Sequence, residues 1–451
     1  MSYIQQTKGN EKREMEVIET TIKQVRARQV LDSRANPTVE VDICLEGGVI
    51  GRAIVPSGAS TGQFEALELR DNNPSQFNGK SVRQAVNNVN EIIAGRVKGL
   101  DAMDQAGLDQ VLIELDGTPN KSKLGANALL GVSMAAAWAA ARALDLPLYQ
   151  YLGGIQARTL PVPMIQMIGG GAHAGGSIDI QDYLIIPVGA HTYSEALEMS
   201  VNVYNGTKKV FAERGKPLSI ADEGGVWPDF QSNEEGLELL VQGIEQAGYV
   251  PGEDICMALD IAASEFYQDG IYHFALEDKN MNGKEMVEVL HAWVDKYPVI
   301  SIEDGMDEND WDGWQLLTKR LHPKIQLIGD DLFTTNVQRI AKGIENQIAN
   351  AVLIKMNQIG TLTETLAAIE MTKKAGYRPV ISARSGETED VTIVHLAVAT
   401  NAGQLKVGSV ARSERTAKWN ELLRIEETLG QSAIYPGKDV FKSLGLDGQK
   451  A

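Results

Sequence analysis

Apolar and polar positions tend to alternate from about Thr21 to Val55, most clearly in VEVDICLEGGVIGRAIV, and Gly47-Gly48 interrupts the alternation. This pattern predicts an antiparallel hairpin. The spacing then turns helical through SVRQAVNNVNEIIAGRVKGL and an Ala-rich segment, and it stops at Asp145-Leu146-Pro147, where proline cannot continue a helix. Leu124 to Ala141 carries no charge, as a membrane span would, but its Ala, Gly, Ser and Asn favour a tightly packed buried helix. Residues 21–155 therefore read as an α+β domain. A polar extension, 1–20, precedes it and is expected to be disordered.

The stretch PVPMIQMIGGGAHAGG is rich in Pro and Gly and reads as a joint. Beyond it, short β-branched strands alternate with helical segments: IQDYLIIPV, PLSIADEGG, CMALDIA, VISIED, QLIGDD, AVLIKM, PVISAR and QLKVGSV. Eight strands with helices between them fit a (β/α)8 barrel over 156–435, followed by a tail, 436–451. Pattern alone leaves a doubly wound α/β sheet open.

Composition narrows the function. The chain has 451 residues, 43% of them hydrophobic, and a formal charge of −18. So acidic a surface, with no run of Lys and Arg, makes direct nucleic-acid binding unexpected. Cys44 and Cys256 lie far apart in apolar runs and read as two buried thiols in a reducing compartment. The polar N-terminus lacks the apolar stretch of a secretory signal, so a cytoplasmic protein is expected.

Charge also falls where a core strand has no use for it. Asp260, Glu303, Asp330, Lys355, Arg384 and Lys406 each stand at or near the C-terminal end of an apolar strand, mostly one βα unit apart. Barrel strands would deliver them to one mouth, where barrel enzymes keep their active sites. Three converging carboxylates repel one another and raise each other's pKa unless a cation neutralises them. Oxygen donors without Cys or His suit a hard ion such as Mg²⁺ or Mn²⁺. Two lysines and an arginine beside them imply an anionic ligand carrying carboxylate or phosphate. A lysine held among cations can lose its proton near neutral pH and act as a general base. Taken singly, each charge could equally be a solvated strand end; six in register favour a shared site.

Other segments say less. PSGASTG at 56–62 is a flexible Gly/Ser loop without the GK[ST] of a phosphate-binding P-loop, and it reads as a mobile lid or a surface loop. GGGAHAGG lacks a dinucleotide fingerprint, and its His173 reads as a mobile ligand contact or as a structural residue. ADEGG places Asp222 and Glu223 before two glycines, a position for a general acid or for a turn.

Longer motifs, in order, are ARQVLDSRANPTVEV, PSGASTG with EALELRD, LGANALLGVSMA, LDIAASEFY, SIEDGMDENDWDGW, GDDLFTTN, IKMNQIGTLTET, SGETED and RSER with LLRIEE. On these the chain resembles the enolase family from about residue 24 to 430. The resemblance implies an N-terminal α+β domain on an enolase-type barrel whose first turns depart from regular βα alternation. It also implies a homodimer or higher oligomer such as an octamer, Mg²⁺ dependence, and reversible dehydration of 2-phosphoglycerate to phosphoenolpyruvate.

Position by position, Asp260, Glu303 and Asp330 match the ligands of a tightly held Mg²⁺; a second Mg²⁺ would arrive with the substrate, helped by Ser60. Lys355 matches the base at C2, Lys406 the partner of the carboxylate, and Glu223 the acid at the C3 hydroxyl. Arg384 and Ser385 match the phosphate contacts, His173 the lid histidine, and Gln181 a further substrate contact.

Four positions depart from the family pattern. Ala383 replaces a histidine beside Arg384. Asp182 replaces a glutamate that works beside the acid, and loss of one methylene withdraws its carboxylate by about 1.5 Å. Gly169 replaces an asparagine. Ala35 replaces a glycine, which an alanine can do only where the backbone needs no positive φ. Three readings follow: a working enolase; a paralogue with a shifted reaction in phosphonate-type metabolism, similar to carboxyphosphonoenolpyruvate synthase; and a noncatalytic binding protein, including a surface or secreted pool, which the complete carboxylate triad opposes.

Overall fold

The computed structural model describes residues 18–59 and 61–444. Most of the 1–20 extension, the end of the 436–451 tail and Ser60 lie outside the described residues.

Strands β1 (Ile22–Leu31), β2 (Pro37–Leu45) and β3 (Ile50–Ile54) form an antiparallel meander, with β2 and β3 joined through Gly47-Gly48 as the alternation predicts. The Ala-rich segment is the helix Ala126–Ala143, buried at every position except Trp138, Arg142 and Ala143. Small residues are needed because the helix lies directly on the sheet. A Cβ on Gly51 would stand 2.1 Å from the Ala135 carbonyl oxygen. Among the described residues no single helix is long and apolar enough to cross a membrane; Ala126–Ala143 with Leu148–Gln156 passes only as a pair, bent by 98°.

The barrel closes from β4 (Val162–Gly169), β5 (Asp182–Ile186), β6 (Cys256–Asp260), β10 (Val299–Glu303), β11 (Gln326–Gly329), β12 (Ala351–Ile354), β13 (Arg378–Ser382) and β14 (Gln404–Gly408), in that order around the ring. A small meander, β7 (Tyr267–Gln268), β8 (Ile271–Phe274) and β9 (Lys279–Asn282), interrupts the series. All barrel neighbours are parallel except β5, which runs against both β4 and β6.

Two of the sequence-predicted elements are thereby corrected. PVPMIQMIG is the first barrel strand, not a joint: its side chains are buried throughout and β14 and β5 pair with it on either side. PLSIADEGG is not a barrel strand; it makes only isolated bridges, and its glycines form the turn carrying Glu223. Cys256 is buried but Cys44 is only half-buried; both are free thiols. Helices around the barrel start where capping side chains accept backbone N–H groups: Thr192, Ser232, Asn336 and Thr361, and Asn282 in a capping box with Glu285.

Candidate active site

Side chains alternate along each strand, so residues two apart share a face. On the inner face Ala258, Ile328, Leu353 and Val380 form an apolar layer. Two residues further along β6, and just past the ends of β11 and β12, come Asp260, Asp330 and Lys355. Glu303 and Lys406 hold the equivalent places on β10 and β14. Strand β5 runs the other way, so its first residue, Asp182, reaches the same mouth, opposite Asp260 in register. One small cavity is lined there by Ala59, His173, Gln181, Asp182, Glu223, Asp260, Lys355, Ala383, Arg384, Ser385 and Lys406. Glu303 and Asp330 stand behind this lining, buried and joined to it through Lys406 and Lys355.

On one side the Lys406 ammonium meets Asp260 Oδ2 at 2.6 Å and both oxygens of Glu303 at 2.8 Å, with Asp182 Oδ2 at 3.5 Å. Burial and the neighbouring Asp260 push the Glu303 carboxyl well above its ordinary range, against the pull of Lys406. Lys355 pairs with Asp330, whose other oxygen accepts from Gln358 at 2.8 Å. Burial opposes ionisation of both partners, yet their attraction prevails, lowering Asp330 and raising Lys355. Arg384 and Lys406 act to discharge Lys355, but Asp330 outweighs them. Asp304 also gathers with Asp330 and Asp331, but its two oxygens are taken by the backbone N–H groups of those residues at 2.9 and 2.8 Å.

Across the cavity His173 is held between two carboxylates. It is buried on the short turn Gly171–Ala174, with Nδ1 3.0 Å from Asp182 Oδ1 and Nε2 3.8 Å from Glu223 Oε1. Burial alone would lower its pKa, but Asp182 and Glu223 lift it to about 9. Asp182 is held below the ordinary carboxylate range, its complete burial outweighed by His173 and Lys406. Burial raises Glu223 despite Arg415, 3.7 Å away, so the three groups are driven apart in proton affinity. Arg415 Nη1 also donates to the carbonyls of Arg384 and Val407, and its Nη2 donates to that of Ser385, fixing the third wall. There the Arg384 guanidinium is gripped by Glu65 at 2.9 and 3.2 Å and by Asn357 at 2.9 Å. Ser57, two residues before Ala59, bridges to Gly386, which brings the Gly/Ser loop to the cavity rim.

The profile of the enolase N-terminal domain matches residues 22–152, and that of the enolase C-terminal TIM barrel domain matches 157–444. Enolase 1 of Desulfitobacterium hafniense (strain Y51) is 65% identical over 428 residues, covering 94% of this chain and 98% of its own. The chain belongs to the enolase family. It is a lyase of the α/β class, and Mg²⁺ is the ion of that family; Asp330 gathers at the mouth with Asp304 and Asp331 into an acidic group whose oxygens could hold such an ion.

In this enolase two departures can be placed directly. Ala383 lines the cavity between Ser382 and Arg384. Ala35 has φ of 56°, so the backbone there does adopt the left-handed region, and the alanine is strained. Sequence reasoning missed Glu65, Asn357, Arg415 and Gln166. Only Gln166 carried a visible signal, a polar residue inside the apolar run PMIQMI. The others are distant in sequence from the groups they hold.

Proposed function

We propose that this enolase interconverts 2-phosphoglycerate and phosphoenolpyruvate. The observation that carries the reading is one small buried cavity with an amine, Lys355, on one wall and a carboxyl of raised proton affinity, Glu223, on another. In the forward direction Lys355 takes the proton from C2 and Glu223 gives one to the departing C3 hydroxyl, so the product is an enol phosphate and water. Arg384 and Ser385 hold the phosphate, Lys406 and Gln181 hold the carboxylate end, and His173 with Asp182 stands beside the acid. Asp260, Glu303 and Asp330 would hold Mg²⁺, and Ser60 would assist a second ion. Bound there, Mg²⁺ supplies Lewis-acid stabilisation of the extra negative charge that forms on the carboxylate. Asp330 and Glu303 are the two carboxylates that hold Lys355 charged; engaged by an ion, they would hold it less, which favours its neutral form.

Purified protein with Mg²⁺ should generate the ultraviolet absorbance of phosphoenolpyruvate from 2-phosphoglycerate and lose it on chelation. Absence of that absorbance at saturating Mg²⁺ would overturn the reading. A second reading, a paralogue with a shifted reaction, is favoured by Ala383 on the cavity wall; it requires that Ala383→His raise hydratase turnover. The proposal includes a homodimer or larger homo-oligomer, a cytoplasmic site and a division of the chain near residue 155. Sedimentation, fractionation and limited proteolysis test these.

A further inference from the structure

Gln166 is completely buried on the inner face of β4, and both ends of its amide are used. Nε2 donates to Asp182 Oδ1 at 2.6 Å and lies 3.4 Å from His173 Nδ1. Oε1 accepts the backbone N–H of Gly225 at 2.8 Å, two residues beyond Glu223. One side chain thus ties the strand carrying Asp182, the turn carrying His173 and the loop carrying Glu223. Its path is open because residue 169 has no side chain: a Cβ on Gly169 would come within 3.1 Å of Gln166 Cδ and Nε2, and a Cβ on Gly225 within 2.5 Å of Oε1.

Residues 166, 169 and 182 therefore belong together: the short Asp182 carboxylate is met by a long partner, and that partner needs the space that Gly169 leaves. We propose that Gln166 is a positioning residue of the proposed reaction: its amide holds the Asp182 carboxylate against His173 and holds the Glu223 loop in place. What matters on this view is the summed length of the side chains at 166 and 182. The role in turnover rests on the proposed dehydration, whereas the hydrogen-bonded geometry does not.

The test is a length exchange. Gln166→Asn breaks the reach to Asp182 and Gly225, and Asp182→Glu overfills a contact already closed at 2.6 Å. Each alone should lower kcat on 2-phosphoglycerate about a hundredfold, the effect of a misplacement near 1 Å, with KM changed far less. The double variant restores the Asp182 arm but not the Gly225 arm, so it should regain at least about tenfold over either single change, a non-additivity expected only of directly coupled side chains. Gln166→Met keeps the length without the amide; it should lose activity equally and gain nothing from Asp182→Glu. A second readout needs no substrate: the downfield imidazole proton of His173 bonded to Asp182 should be visible by NMR in the wild type, absent in Gln166→Asn and back in the double variant. Additive losses, rescue of the methionine variant, or a His173 signal indifferent to residue 166 would each overturn the proposal. A wild type inert on 2-phosphoglycerate that still shows this NMR pattern would sink the dehydration and support the positioning.

Discussion

At the floor of the barrel Ala258, Ile328, Leu353 and Val380 pack with Phe441 and Leu444 from the chain's last described turn. The polar side chains among them are neutral: Gln326 and Gln404 exchange hydrogen bonds at 3.0 and 2.9 Å, and Gln326 reaches Ser301 at 3.1 Å. One layer up the polarity is ionic, with Asp260, Glu303, Asp330, Arg384 and Lys406 buried and Lys355 half-buried; the carboxylates and lysines are satisfied largely by one another and Arg384 by Glu65. The floor can lose a polar partner and leave a neutral group behind; the mouth cannot. Removing one member of a buried ion pair commonly costs about 3–5 kcal/mol because the other stays charged and unmatched. Stability is built into the lower layer, and reactivity resides in the upper one, where charges are held ready for an anionic substrate.

The sharpest way to break this contrast is Lys355→Ala. Turnover of 2-phosphoglycerate should fall by about 10²–10⁴-fold, the range expected for loss of a general base. A variant near wild-type activity would mean that the upper layer is not the site. The matching change two residues earlier on β12, Leu353→Ala, should cost about 2–5 kcal/mol in denaturant unfolding, as for other fully buried leucines, while KM stays unchanged. A large KM effect with intact stability would reverse the assignment of the two layers.

The His173–Asp182 contact sharpens the comparison through pH. The folded-state pKa of His173 is about 9, above the ordinary 6.5, so its stabilisation is complete below about pH 6.5 and is lost as pH rises through about 9. His173→Gln should accordingly destabilise most near pH 6, and the gap from wild type should close towards pH 10. A gap that widens with pH would show that the imidazole is held neutral. The smallest effect belongs to neither layer: Ala35→Gly should stabilise by about 1 kcal/mol, since the left-handed backbone at 35 costs an alanine about that much or more. Unchanged thermal unfolding would show that the turn, with two N–H groups bonded to Asp32, absorbs the strain.

Much of this was legible along the chain. Charges at the ends of apolar strands disclosed the upper layer, because a buried strand otherwise has no reason to carry Asp260 or Lys406. The hairpin and the buried Ala-rich helix followed from period and residue size. The first barrel strand was hidden because Pro161 and Pro163 resemble a linker, although both stand where the barrel's pairing tolerates them. PLSIADEGG looked like a strand because an apolar run beside glycines reads the same in a strand and in a loop. His173 looked mobile among glycines, whereas its partner Asp182 lies on the next strand. The grip of Glu65 on Arg384 joins groups that only the closed fold brings together.

The reversed course of β5 has a consequence for how this protein could be altered. Because β4 and β5 run in opposite directions, a single short return connects Gln166, Gly169, His173, Gln181 and Asp182, and their register is set locally by one antiparallel pair. Those residues form one contiguous segment, joined to the Glu223 loop through Gln166 and His173. Exchanging the fragment 166–182 between homologues would replace the surroundings of the departing hydroxyl in one operation, while the carboxylates contributed by β6, β10 and β11 keep their own separate inheritance.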